Sequence, residues 1–131
     1  MGSVKIDIEK GGRTYAVKYT LSDSAGVKKL LRDRHAVSSA RFTGDYNAAD
    51  ILIDLHSAIN SANLTNTQTE IVAWISGADL TQKDTAQIMG ITQQAVAKTY
   101  ETACANIAAV YKRWNYGEVT AEYVIDEMEV A

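Results

Sequence analysis

The sequence predicts a mainly α fold that carries a small N-terminal β-hairpin. Three observations lead there. Apolar residues recur at steps of three and four through most of the chain, proline is absent throughout, and a clear apolar–polar alternation at the start is divided by a Gly-Gly pair. With 131 residues, 47% of them apolar, the chain can bury one core as a single domain, or as one small domain plus an appendage.

The hairpin comes first. Val4-Lys-Ile-Asp-Ile8 alternates apolar and charged residues, and Tyr15, Val17, Tyr19 and Leu21 share one face of a second strand, with Gly11-Gly12 between the two. Ser22 or Asp23 then caps a helix whose stripe is Val27, Leu30 and Leu31, with Lys28, Lys29 and Arg32 on its other faces. The segment from Ser38 to Gly44 reads as a loop. From Asp45 to Ala62, residues Ile51, Leu52, Leu55, Ala58 and Ile59 mark a second helix, started by Asp45 or Asn47 and fraying over Asn60 to Asn63. Thr65 and Gln68 form a capping box for the next helix, whose buried stripe of Ile71, Val72, Trp74 and Ile75 is stopped by Gly77.

The stretch GADLTQKDTAQIMGITQQAV, Gly77 to Val96, carries the strongest local signal. The Thr81 hydroxyl can accept a backbone N–H near Asp84, and Ala86 is small enough for another helix to cross closely above it. Ile88 and Met89 are apolar, and Gly90 stands where the chain must reverse with a positive φ. Ile91 is expected to plug the core, Thr92 to cap the next helix, and Val96 to return to the core. The core positions continue as Tyr100, Ala103, Ile107, Val110 and Trp114 along one long final helix. Together these describe two helices packed nearly at right angles across a tight turn, a helix-turn-helix within a small bundle. A plain helical hairpin with Gly90 as a simple C-cap is the alternative.

After the long helix, Gly117 to Ala131 holds five acids and no base, interleaved with Val119, Tyr123, Val124, Ile125 and Met128. It reads as an amphipathic helix, as a strand added to the hairpin, or as a solvated acidic tail. The expected organisation is therefore a hairpin plus short helix over 1–44 as a possible protein-contact region, a helical unit over 45–116, and an acidic tail over 117–131.

Thr81 to Tyr100, TQKDTAQIMGITQQAVAKTY, resembles the helix-turn-helix of bacterial and phage transcription regulators. The longer run from Leu64 to Trp114, about 51 of the 131 residues, resembles the fourth region of sigma-70-family factors, of the phage-encoded sigma-like or late-activator type. The resemblance rests on the Leu-Thr that opens a leading helix some sixteen residues before Thr81, and on the four-and-three stepping of the final helix. It departs at Thr85, where the family usually has an aliphatic residue, and in its neutral charge, where the family is usually basic.

The resemblance implies a sequence-specific DNA-binding transcription regulator, with the helix after Gly90 in the major groove. Thr92, Gln93, Gln94, Ala97, Lys98 and Glu101 would form its reading face, with Gln93 and Gln94 first, because a glutamine amide matches the adenine edge. Thr81, Gln82 and Lys83 would lie at the DNA backbone. Glu101 is the weakest of these, since a carboxylate near phosphates is repelled. Double-stranded DNA is the expected partner, and RNA polymerase and a homodimer remain open. A competing class is a protein-interaction module, such as a phage packaging or assembly subunit or a polymerase-binding factor, that makes no sequence-specific DNA contact.

Charge favours that competitor. The formal charge is +2 over residues 1–63, zero over 64–114 and −5 over 115–131, so an overall basic footprint is missing. No apolar run approaches the ~18 residues that span a bilayer and the start lacks a signal peptide, so a cytoplasmic protein without membrane contact is expected. The single cysteine, Cys104, reads as a packed thiol among Ala103, Ala105 and Ile107, and His35 and His56 stand alone, which gives no metal site. No nucleophile–base pair or phosphate-binding glycine loop is visible, so neither an enzyme nor a cofactor is expected.

Overall fold

The structure is a computed structural model that describes residues 3–9, 12–39, 41–42, 48–116 and 118–126, with described side chains at 17–35, 37 and 50–116. It is mainly helical. The elements run β1 (Ser3–Glu9), β2 (Gly12–Thr20), α1 (Ser24–Ser39), β3 (Arg41–Phe42), α2 (Ala48–Ser61), α3 (Asn66–Val72), a π turn (Ala73–Gly77), α4 (Gln82–Met89), α5 (Gln93–Arg113) and β4 (Glu118–Asp126).

The chain's two ends meet in one antiparallel sheet of order β1-β2-β4-β3. β1 and β2 form the expected hairpin, with Val4 opposite Tyr15. β4 lies along the whole of β2, from Gly12 opposite Asp126 to Thr20 opposite Glu118. Of the readings open for the last segment, the added strand is the one the structure contains. Part of the expected loop at 38–44 is also structured, because α1 runs on to Ser39 with Val37 buried, and Arg41 and Phe42 pair with Val124 and Tyr123 of β4. The start signals Asp45 and Asn47, and the turn residue Gly11, lie outside the described residues.

The core gathers residues from the end of β2 to the end of α5. Tyr19, Leu21, Val27, Leu30, Leu31, Ile51, Leu55, Ile71, Val96, Ile107 and Tyr111 all belong to one buried cluster. α5 is its axis: it touches α1, α2, α3 and α4. The reason is its stripe of Val96, Tyr100, Ala103, Cys104, Ile107, Ala108, Val110 and Tyr111, which supplies apolar surface over the whole length of the helix. Burial chiefly pushes the Cys104 thiol up to about 12, against the lowering effect of the Lys28 charge, as expected of a packed and unreactive cysteine.

Local signals fix the helix ends. The Thr65–Gln68 capping box is present in both directions, with Gln68 N–H donating to Thr65 Oγ1 at 3.1 Å and Thr65 N–H donating to Gln68 Oε1 at 3.0 Å. Gly77 does not stop α3 directly. The helix widens by one π turn, in which Ala78 N–H reaches back to the Ala73 carbonyl at 2.9 Å. Asn63, Asp79 and Asn115 take left-handed φ values of 53°, 59° and 57° at the chain reversals, where short polar side chains tolerate that region best.

Two expected core residues stand at the surface. Ile91 is 38% exposed, because the turn into α5 spans only Gly90 to Thr92 and the nearest core position is filled one turn later by Val96. Trp114 is 42% exposed, since α5 ends at Arg113 and Tyr111 fills the last core position. The Trp114 ring instead packs edge-on against Tyr111, with centroids 5.7 Å apart.

Candidate nucleic-acid interface

Two hydroxyl caps organise the region around Gly90. Asp84 N–H donates to Thr81 Oγ1 at 3.0 Å and Ala95 N–H donates to Thr92 Oγ1 at 3.1 Å, so each helix start satisfies one of its own open amides. Gly90 joins them in the left-handed region at φ 69° and ψ 31°, with its N–H and that of Ile91 both directed to the Ala86 carbonyl. A side chain there would have space but the wrong backbone. Ala86 is buried beneath this turn, as its small size suggested.

Thr85, the position at which the family resemblance fails, is wholly buried. Its hydroxyl donates to the Thr81 carbonyl at 2.9 Å. A threonine therefore fits the space of an aliphatic residue by satisfying its hydroxyl within its own helix turn.

The residues expected at DNA fall into two groups. Thr92, Gln93, Gln94 and Lys98 are exposed on the first two turns of α5, with Ala97 half-buried between them. Thr81 and Lys83 are exposed and Gln82 is half-buried at the start of α4. Glu101 is exposed too, but it is engaged by another element, forming an ion pair with Lys28 of α1. That hydrogen bond from Lys28 is the main cause that holds the Glu101 carboxyl below its usual range, with Ser24 adding to it. Of the α5 residues expected to form one exposed face, Glu101 is thus drawn into a contact with α1, which borders that face.

Sequence reasoning missed α1 in this role. Lys28 and Glu101 stand 73 positions apart, so no local spacing connects them. On the far side of α1, Arg34 reaches Ser76 Oγ at 3.4 Å and His56 Nε2 at 3.1 Å, while Ser76 Oγ donates to the Leu31 carbonyl at 3.4 Å. His56 thus serves as a link between α1 and α2. Among the described residues no group of three or more His, Cys, Asp or Glu side chains is placed to hold a metal ion, and no helix is long and apolar enough to cross a membrane.

Compared with known proteins, the chain matches no family model, and no curated protein or solved structure is significantly similar to it.

Proposed function

We propose that this protein is a sequence-specific DNA-binding regulator of transcription, of the sigma-like or phage late-activator kind, that reads the major groove with the start of α5. One observation carries the reading. The exposed run Gln93, Gln94 and Lys98 opens a helix whose opposite face is locked into the core by Val96, Tyr100 and Ala103, just after a glycine-hinged turn from a second capped helix.

In this reading Gln93 and Gln94 pair with adenine edges, each good bidentate contact being worth about 1–3 kcal/mol of discrimination. Ala97 lies against a thymine methyl, and Lys98 takes a guanine or a phosphate. Thr81, Gln82 and Lys83 hold the neighbouring strand's backbone, and Glu101 stays with Lys28 and does not approach the phosphates. A second copy of the chain supplies a second half-site, because one helix in one groove gives limited affinity.

Selection of duplexes from a random pool at about 100 mM salt tests this, with wild type beside a Gln93→Ala/Gln94→Ala/Lys98→Ala variant. A recurring site enriched by the wild type and lost in the variant is the expected result. Enrichment of nothing by either protein would sink it.

The second reading is a protein-interaction module without DNA readout. It is favoured by the zero net charge of residues 64–114 and by Ile88 and Ile91, 53% and 38% exposed on either side of Gly90. A real phosphate footprint loses affinity steeply between about 50 and 200 mM salt, so a flat salt response selects this second reading.

A further inference from the structure

β1 is the outermost strand at one end of the sheet: β2 pairs with one of its sides, and among the described residues no strand pairs with the other. At the opposite end the last strand is β3, which covers β4 at Val124 and Tyr123. An open edge offers a row of backbone N–H and C=O groups to another strand. The ladder to β2 also lapses in the middle of β1. Lys5 lies opposite Thr14 and Glu9 opposite Gly12, so β1 takes four steps where β2 takes two. The surplus bends the strand and leaves Ile6 to Ile8 without a direct opposite on β2.

We infer that β1 is the self-association edge of this protein, pairing antiparallel with β1 of a second copy in the register centred on Ile6. The strand's own sequence selects that register. Directly opposite residues of an antiparallel pair share a face, so any register that sets odd positions against even ones mixes Val4, Ile6 and Ile8 with the charged residues. Centring on Lys5 or on Asp7 keeps the faces apart but sets a charge against its own copy. Centring on Ile6, the midpoint of Ser3–Glu9, does neither. It sets Lys5 opposite Asp7 of the second copy and, by the two-fold symmetry, Asp7 opposite Lys5 of the second copy, with Val4 opposite Ile8. All seven residues of the strand then have an opposite, and the two sheets become continuous. This contact deepens the dimer proposed above and rests on that dimer alone, so it is tested without DNA.

Sedimentation equilibrium of the full chain from about 1 µM to about 1 mM is the test. Wild type should pass from monomer to dimer over that range. Lys5→Asp and Asp7→Lys each turn both charge pairs into like-charged ones, and each should raise the dissociation constant at least about tenfold. The two variants shift net charge in opposite directions, so a common weakening is not an effect of net charge. Within the chain's own hairpin Lys5 lies opposite the neutral Thr14, so its reversal creates no like-charged pair there. Lys5→Asp/Asp7→Lys restores opposite charges in the same register and should return the dissociation constant to within about threefold of wild type. An equimolar mixture of the two single variants should dimerise where neither does alone, because every pair across it is again Asp against Lys. A wild type that stays monomeric throughout overturns the inference. So do single variants that dimerise as well as wild type, or a double variant and a mixture no better than the singles.

Discussion

The turn between α4 and α5 and the junction between β2 and α1 are both tight chain reversals, but they are held in opposite ways. Around Gly90 each hydrogen bond joins residues three to five positions apart, from Thr81 to Asp84, from Ala86 to Ile91 and from Thr92 to Ala95. At the β2–α1 junction the first turn of the helix is pressed on the strand it has just left. A Cβ at Gly26 would stand 1.8 Å from the Thr20 carbonyl oxygen. Tyr19 Oη also donates to Asp33 at 2.8 Å, across fourteen positions. Local bonds tolerate small losses one at a time, whereas a close backbone approach has no partial state.

The sharpest break in that comparison is Gly26→Ala. The methyl cannot be placed without moving α1 off β2, so unfolding by urea should show a loss of at least about 3 kcal/mol. The same substitution at Gly90 meets nothing within 4 Å and costs only the left-handed backbone, about 1 kcal/mol. Thr92→Ala, which removes one cap, should cost a similar ~1 kcal/mol. If Gly26→Ala proves no worse than Gly90→Ala, the two reversals are not distinct in kind.

Glu101→Gln tests whether long reach in sequence makes a contact strong. Its partner Lys28 is far away in the chain, yet both side chains are substantially exposed, so less than about 1 kcal/mol should be lost at pH 7. The Glu101 carboxyl is held below its usual range, chiefly by the Lys28 hydrogen bond. Its contribution is therefore present above the normal carboxylate pKa and fades as pH falls through the depressed value. Wild type and variant should converge in urea titrations at about pH 2.

The smallest effect belongs to Tyr111. Its hydroxyl is buried without a hydrogen-bond partner, while its ring packs edge-on against Trp114 and Tyr116 at centroid distances of 5.7 and 5.1 Å. Tyr111→Phe keeps the ring and removes the unpaired hydroxyl. Stability should stay level or rise by up to about 1 kcal/mol, and a loss above that would reveal a hidden partner.

The legible parts of the chain were those whose cause lies within a few residues. Thr65, Thr81, Thr92 and Gly90 announced helix ends through their own hydroxyls or their own freedom at positive φ, and the stripe from Val96 to Val110 announced the axis of the bundle. Ile91 and Trp114 misled because spacing marks a face of a helix but not where the neighbouring elements stop. Within the candidate site, the exposure of Gln93, Gln94 and Lys98 on one side of α5 was legible for the same local reason. The engagement of Glu101 was hidden, because it needs α1 beside α5.

By itself, then, the sequence determined the mainly helical character, the opening hairpin and the capped turn at Gly90. Those depend on local hydrogen bonding, backbone freedom and apolar period. Only the tertiary structure decided that β4 joins β2 and that Lys28 of α1 pairs with Glu101 of α5. Such choices set partners scores of residues apart against one another, and they are settled by which arrangement buries the common core, a property no short window of sequence contains.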